Sequence, residues 1–386
     1  MNTNDLPVIE LQGTPRERGL IHGESLKTSI AAVLEHWLSD LGNYGSNDSG
    51  TTCWNVDTYL DGLLSNTRYL QAIEKTAPHL LEELKGIADA SGQPFSHILG
   101  LNLMDEEWVY GLRNSLDKPT HKCTAFATSK QTDGISYAGQ NMDICSWSEG
   151  YQVLFRHMAT EDKPEVLLFA IAGSLGLNGL NASGVGVTCN TLSQLDFATD
   201  GLPVAFVVRL ILEQQGLDAA VSLLKKLHHA SGQNYILSSR DQALCFECSS
   251  TSVVPYTPEP LNGRLFHTNH PLISSDISTI KALAETPTAN TQARLDSITQ
   301  RLGNTKTKVT LSEIKAALSA HDNPSHPVSR RCNKTGSSIG YTAGSVIYEF
   351  TSPPRLHLAA GPPCETEYLC FDFLSSESSL GEGDHS

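Results

Sequence analysis

Hydrophobic positions recur along this chain with two different periods, and the change from one to the other divides it at about residue 122. Val8 to Leu11 reads as a short strand. Thr14-Pro15-Arg16-Glu17 then joins a threonine N-cap, a proline at the first helical position and a glutamate placed to close a capping box, so a helix starts there. Leu26, Ile30, Val33, Leu34, Trp37 and Leu41 share one helical face until the polar stretch 42–50 breaks the pattern. Further helices are expected over Val56 to Lys75, from Pro78 through Leu81, Leu84 and Ile87 to a stop at Gly92, and over Ser96 to Leu112. A loop, Asn114 to His121, closes this mainly helical first third.

From Cys123 the period is that of strands. His121 to Asp143 reads as one hairpin, in which Thr124 to Ser129 and Ile135 to Gly139 flank an Asp-Gly turn signal within Gln131 to Gly134. Buried strands are expected at Val153 to Met158, Val166 to Ala172 and Gly184 to Cys189. Helices Val204 to Glu213 and Asp218 to His228 come next, then strands Tyr235 to Ser238, Ala243 to Glu247 and Leu265 to Asn269. The scheme repeats with helices Gln292 to Arg301 and Leu311 to Ala320, and strands Ser345 to Phe350, Arg355 to Ala359 and Tyr368 to Phe373. Residues 374–386 are polar and expected to be disordered. With no internal repeat and no long linker, this alternation implies one α+β domain: two stacked sheets covered by helices, preceded by a helical segment.

Composition narrows the setting. No apolar run in the 386 residues approaches the roughly 20 that a membrane helix needs. The start, MNTNDLPVIE, lacks the basic and apolar parts of a signal peptide, and the end, GEGDHS, is no peroxisomal tripeptide, so a cytoplasmic location is expected. A net charge of -15 repels nucleic acid and acidic membrane surfaces, and neither is expected as a partner. Nine cysteines without a secretory signal read as reduced thiols.

Among these cysteines, Cys123 opens a strand, and Gln140, Asn141 and Asp143 close the returning one. An acidic group beside a strand-end thiol is what nucleophilic chemistry needs to orient a proton donor, although a buried inert cysteine is the commoner reading of any single one. Cys245-Phe246-Glu247-Cys248 lies in a strand pattern that offsets its two thiols, and no second such pair accompanies it, which argues against a metal. His267 and His270 are read as satisfied by local hydrogen bonds. Asn269 between them is a strand-end amide of the kind that donates to an oxyanion. Arg330 and Arg331 form an adjacent pair in a polar loop. The hydrolase elbow, zinc-protease helix, Walker loop and dinucleotide fingerprint are all missing.

Taken in order, Gln12-Gly13-Thr14-Pro15, His22-Gly23, Glu83 to Ala88, Tyr110-Gly111-Leu112, Cys123-Thr124, Gly139-Gln140-Asn141-x-Asp143, Leu177 to Val187, His267 to His270 and Val346-Ile347-Tyr348 are similar to a known pattern. The chain resembles, nearly end to end, the acyl-coenzyme A:6-aminopenicillanic acid acyltransferase (isopenicillin N acyltransferase) family of N-terminal-nucleophile hydrolases, which includes the β-alanyl-dopamine hydrolase type. The resemblance implies a four-layer αββα sandwich and a precursor that cuts itself at Lys122-Cys123. A helical small chain, 1–122, and a catalytic chain with its αββα part at 123–373 would result and stay associated. It assigns Cys123 as nucleophile, Asn269 as oxyanion donor, and Asp143 and Arg331 as charged supports. Arg331 is matched by aligning backward from Thr342 and Tyr348. The freed α-amine, near pKa 7.7–8.0, serves as base to a thiol near 8.5.

The implied activity is acyl transfer from an amide or thioester donor, through a thioester acyl-enzyme, to an amine or water. The partners are thus a small-molecule acyl donor and an amine acceptor. No cofactor is implied, with acyl-coenzyme A a conceivable co-substrate, and secondary metabolism is the setting by analogy. One departure stands out: the family commonly has glycine before the cysteine, and this chain has Lys122. The competing reading is a silent binding protein of the same fold that never matures because Lys122 blocks cleavage.

Overall fold

The computed structural model describes residues 6–45, 55–113, 122–129, 135–258, 263–285, 287–304, 308–332 and 340–374. The loop 114–121 with His121, the turn 131–134 and residues 375–386 of the polar tail lie outside them. Where the signals are local, the elements start and stop as expected. Strand β1 is Val8–Leu11, and Thr14 caps α1 (Pro15–Ser25) with its hydroxyl on the Glu17 amide while Glu17 returns to the Thr14 amide. Helix α2 (Lys27–Gly45) outlasts the expected break at Gly42 by a turn and buries its apolar stripe from Ile30 to Leu41. At about 1.5–3 kcal/mol for each large side chain, that stripe outweighs the glycines at its end.

Two expected helices are each split. Val56 to Lys75 divides into α3 (Val56–Ser65) and α4 (Tyr69–Thr76). After α5 (Pro78–Ser91), which stops at a left-handed Gly92 (φ 72°), the next stretch divides into α6 (Phe95–Leu101) and α7 (Met104–Arg113). Asn102 causes this second break. Its Nδ2 donates to Ile98 O (2.8 Å) and Gly173 O (3.0 Å) and its Oδ1 accepts from Leu175 N (2.6 Å), an alternative to continuing the helical ladder. Helices α1 and α5 cross at glycines. A Cβ on Gly19 would fall 2.0 Å from Glu83 O, and one on Gly86 would fall 2.5 Å from Arg16 O.

The strands are β2 (Lys122–Thr128), β3 (Tyr137–Cys145), β4 (Gln152–His157), β5 (Val166–Ile171), β6 (Asn178–Asn181), β7 (Gly186–Thr191), β8 (Gln233–Ser238), β9 (Ala243–Cys248), β10 (Val253–Tyr256), β11 (Arg264–His267), β12 (Gly340–Glu349), β13 (Arg355–Ala359) and β14 (Leu369–Asp372). Eight form one sheet, in the order β1-β4-β5-β6-β7-β8-β9-β10. Six form the other, β11-β2-β3-β12-β13-β14. The sequence pattern missed β6 and β10. The first reads as polar because Asn178 and Asn181 spend their amides on internal hydrogen bonds, and the second is an edge strand carrying Pro255.

The sheets stack face to face, with β2 over β7 and β8. Helices α8 (Val204–Leu212) and α9 (Leu217–Lys226) cover the outer face of the eight-stranded sheet. Helices α11 (Ala289–Leu302) and α12 (Leu311–Leu318) cover the six-stranded one, where Phe126, Phe266 and Ile347 meet Ile298, Leu302 and Ile314. Only α10 (Lys281–Ala284) lies outside these pairs among the later helices. The architecture is the four-layer αββα sandwich that was expected.

The N-terminal segment is not only a helical cap. Strand β1 pairs in parallel with β4 at the edge of the eight-stranded sheet, the one parallel pairing among the described strands. The fully buried Glu83 of α5 bonds Arg209 of α8 at 2.7 and 3.1 Å and Arg18 of α1 at 3.2 Å. No helix of the described residues is long and apolar enough to cross a membrane.

Candidate active site

Cys123 is the second residue of β2, and its cross-strand neighbour on β3 is Met142, so both side chains stand on the same face. That face looks into the space between the sheets and α7. Gln140 shares it, accepting from Cys189 N (3.2 Å) and Asn178 Nδ2 (3.2 Å). Asn141 faces the opposite way, where its amide caps the end of α12 at Leu318 O (2.8 Å) and holds Val328 O (3.0 Å). Of the expected Gln-Asn-x-Asp cluster, only Asp143 approaches the cysteine as a charge.

The other side of Cys123 has lost its strand partner. Strand β11 stops pairing at His267 opposite Ala125, which leaves the N–H and C=O of Cys123 beyond the end of that ladder. Two side chains take the place of the missing strand. Asn269 Oδ1 accepts from Cys123 N at 2.6 Å, and the guanidinium of Arg294 donates to Cys123 O. Arg294 also donates to Thr124 Oγ1 (2.9 Å) and to Asn269 Oδ1 (2.9 Å), which ties the two substitutes together. Asn269 Nδ2 donates to Thr191 O (3.1 Å) and has a second hydrogen to give.

The turn that presents Asn269 is braced from below. His267 Nε2 lies 2.9 Å from Glu247 Oε1, and the carboxylate accepts further from the amides of Leu272 (2.5 Å), Ile273 (3.2 Å) and Ser274 (2.6 Å). Burial works against this carboxyl, yet the hydrogen bonds from His267 and the backbone hold it below the ordinary glutamate range. The histidine is thus a structural partner. Cys245 donates to Asn234 Oδ1 (2.8 Å), and among the described residues the cysteines are free thiols.

Asp143 lies opposite Lys122 on β2 and Thr342 on β12, and Thr342 Oγ1 donates to its Oδ1 at 2.7 Å. Its Oδ2 is buried without a hydrogen-bond partner among the described residues. Burial raises the Asp143 carboxyl, opposed by the charges of Arg330 and Arg294. Burial and the Asp143 charge push the Cys123 thiol up to about 12, so in the uncleaved chain it is protonated at neutral pH. Burial also pushes the Lys122 ammonium down to about 8, assisted by Arg330 and Arg294.

The structure does not bring Arg331 to this site. Its side chain is exposed and its Nε pairs with the Glu365 carboxylate. The neighbour, Arg330, has the place instead: its N–H donates to Thr342 Oγ1 (2.9 Å), its C=O accepts from Thr342 N (2.9 Å), and its charge acts on Asp143 and Lys122. Successive side chains on an extended chain point to opposite sides, so a one-residue alignment shift exchanges the half-buried arginine for the exposed one. Arg294 was missed altogether. The available signal was an arginine at a position that the apolar face of α11 buries.

A cavity of about 590 Å³ of empty space opens beside the cysteine. Cys123, Met142, Asp143, Cys189 and Thr191 line it from the sheets, with Leu101, Met104 and Asp105 from α6 and α7 and Val204, Ala205 and Val208 from α8. The pocket holds a strand-end thiol and two carboxylates, with the fixed amide of Asn269 on the backbone of the same cysteine, which fits acyl chemistry on a small molecule.

Comparison with known proteins agrees. The sequence profile described as acyl-coenzyme A:6-aminopenicillanic acid acyl-transferase matches residues 129–361, beginning just past β2 and including Asp143 and Asn269. The 40 kDa form of acyl-coenzyme A:6-aminopenicillanic-acid-acyltransferase from Emericella nidulans is 24% identical over 376 residues, covering 96% of this chain and 98% of its own. Among solved structures, the N-acylethanolamine-hydrolyzing acid amidase ortholog of Caenorhabditis elegans aligns at TM-score 0.41 and 15% identity, over 58% of this chain and 92% of its own. A mutant conjugated bile acid hydrolase from Clostridium perfringens aligns at 0.43 and 12%, over 65% and 97%. With more than half of its length under that profile, the chain belongs to the acyl-coenzyme A:6-aminopenicillanic acid acyl-transferase family.

Proposed function

We propose that the chain is a self-processing amide hydrolase or N-acyltransferase whose nucleophile is Cys123. The observation that carries this reading is the treatment of the Cys123 backbone. A separate residue, Asn269, holds its nitrogen at 2.6 Å where a strand partner is missing, so that nitrogen keeps its place if the peptide bond before it is cut.

In the uncleaved chain the nitrogen is an amide and the thiol stays protonated, which leaves the precursor without a catalytic cycle. Maturation begins when the Cys123 sulfur attacks the Lys122 carbonyl. The C–N bond breaks, the nitrogen takes the thiol proton, and water then hydrolyses the resulting ester of sulfur to free residues 1–122. In the mature enzyme the α-amine accepts the thiol proton and the thiolate attacks the acyl donor. The second hydrogen of Asn269 Nδ2 donates to the oxyanion, and Asp143 and Arg330 set the local charge. The leaving amine carries the proton away, and water or a second amine resolves the thioester. An acyl-coenzyme A donor, which the name of the fungal relative carries, enters the same scheme with the coenzyme thiol as leaving group. The two chains stay together in this reading, supported by β1 in the later sheet and by the buried Glu83–Arg209 pair.

Intact-mass analysis and N-terminal sequencing test the proposal. The larger fragment should begin Cys-Thr-Ala-Phe, Cys123→Ala should leave one chain, and Lys122→Gly should speed cleavage. An active chain that remains whole overturns the self-base mechanism.

A further inference from the structure

The charge of the cavity beside Cys123 is unbalanced. Its walls are mostly apolar, from Leu101, Met104, Met142, Leu177, Val204 and Val208, and among the described residues the ionisable side chains lining it besides thiols are Asp105 and Asp143. No described lysine, arginine or histidine reaches its surface. Asp143 is accounted for by Thr342 and by the charges of Arg330, Arg294 and Lys122 around it. Asp105 is not.

Asp105 is 9% exposed and makes no ion pair among the described residues. Its Oδ2 accepts from two neutral donors, Thr191 Oγ1 (2.8 Å) and Gln233 Nε2 (2.5 Å), which fix its orientation, and its Oδ1 accepts nothing among the described residues. A carboxylate drawn into an apolar cavity is costly unless a cation meets it. The described residues supply none, and the cavity is open to a ligand. The Thr191 whose hydroxyl bonds Asp105 also holds Asn269 through its carbonyl oxygen, so this carboxylate is one residue removed from the site's amide.

We propose that this cavity selects a cationic substrate, a small acyl compound with an apolar body and a protonated amine that pairs with Asp105. The proposal rests on the acyl-transfer reading of Cys123 and names the substrate class for it. An acyl group that ends in an anion would set a third negative charge beside Asp105 and Asp143 and is rejected. A neutral one of the same shape fits the walls but leaves Asp105 unpaired.

The test compares the full-length, processed protein on three para-nitroanilides of similar length: ε-aminohexanoyl, heptanoyl and adipoyl. A hydrogen bond to a charged group is worth about 10- to 100-fold in affinity, so kcat/KM for the aminohexanoyl compound should exceed that for heptanoyl by at least about 10-fold. The adipoyl compound should be the poorest. Asp105→Asn, which keeps the acceptor facing Thr191, should bring the first ratio to within about 2-fold of unity. Heptanoyl matching or exceeding aminohexanoyl in the wild-type protein, or a ratio unchanged by Asp105→Asn, overturns the proposal. A second measurement needs neither turnover nor a variant: pentylammonium should slow alkylation of Cys123 by iodoacetamide at concentrations where pentanol does not. Equal protection by the two overturns the charge preference even in a protein that cleaves no anilide, whereas activity surviving Cys123→Ala defeats the acyl-transfer reading alone.

Discussion

Replacing Arg294 should damage both stability and maturation, by amounts the structure allows to be worked out. The side chain is fully buried and donates to Cys123 O, Thr124 Oγ1, Asn269 Oδ1 and, through Nε, to Asn290 Oδ1 at 3.0 Å. Thr124 can turn its hydroxyl elsewhere, and Asn269 Oδ1 keeps the Cys123 N–H. Cys123 O, beyond the end of the β11 ladder, loses its donor on that side. Leaving a buried acceptor unsatisfied costs about 1–3 kcal/mol, and losing hydrogen bonds from a charged donor adds about 1.5–3 kcal/mol each. Against this, a methionine at 294 no longer holds a cation out of water, and burial, with the charge of Arg330, pushes that guanidinium down to about 10. The net expectation for Arg294→Met is a loss of about 2–4 kcal/mol, a large part of a typical domain's stability. Urea denaturation in a Cys123→Ala background keeps the chain in one piece and reads this number. In the unmodified background, Arg294→Lys keeps the charge but not the fork, and the rate of cleavage at Lys122-Cys123 should fall by about 100-fold. A stability change under about 0.5 kcal/mol for Arg294→Met, together with normal processing, would refute the role given to this arginine.

Two further outcomes follow from the same geometry. In the mechanism proposed above, Asn269→Ala removes the oxyanion donor along with the acceptor that holds Cys123 N, so turnover should fall about 100- to 1000-fold with little change in KM; a change confined to KM would make Asn269 a substrate contact. Glu213 is buried, which opposes ionisation, but His79 (3.0 Å), Arg209 and Lys163 (2.8 Å) hold its carboxyl down to about 2. Because that folded value lies below the ordinary 4.5, its contribution is present above about pH 4.5 and lost as pH falls towards 2. Glu213→Gln should therefore cost on the order of 3 kcal/mol at pH 7 and progressively less between pH 4.5 and 2. Equal deficits in thermal melts at pH 7 and pH 3 would contradict this.

How far the sequence foretells the structure depends on the distance over which each signal acts. The Thr14–Glu17 capping box, the Gly92 stop and the strand Arg355–Ala359 are written within a few neighbouring residues, and all three stand where they were read. The split at Asn102 was hidden because the cause is Gly173 and Leu175, some seventy positions later. Cys123, Asp143 and Asn269 were singled out at strand ends and given their roles by resemblance, and the fold does bring them together. Arg294 was not: its partner Cys123 lies 171 residues away, and its place on the apolar face of α11 was the one local sign that it is buried. Arg331 was chosen over Arg330 by one position, a difference that only the pairing of Arg330 with Thr342 decides. Asp105 escaped attention because Asp-Glu-Glu in the middle of the expected helix Ser96 to Leu112 looks like part of a solvated face.

The pairing of β1 with β4 also sets an order of events. Val8 meets Leu154 across some 146 residues, so during synthesis the first strand has nowhere to go until β4 has been made. It must wait beside helices already able to form locally, and it docks only when most of the chain is present. If the chain is then cut at Cys123, the covalent tether that made the docking an intramolecular event is gone. A separated pair of chains would have to find the same parallel register by diffusion, at whatever concentration the solution provides. Assembly thus belongs to the uncut polypeptide, and a cleaved protein would keep a geometry that it had given up the means to rebuild once its pieces part.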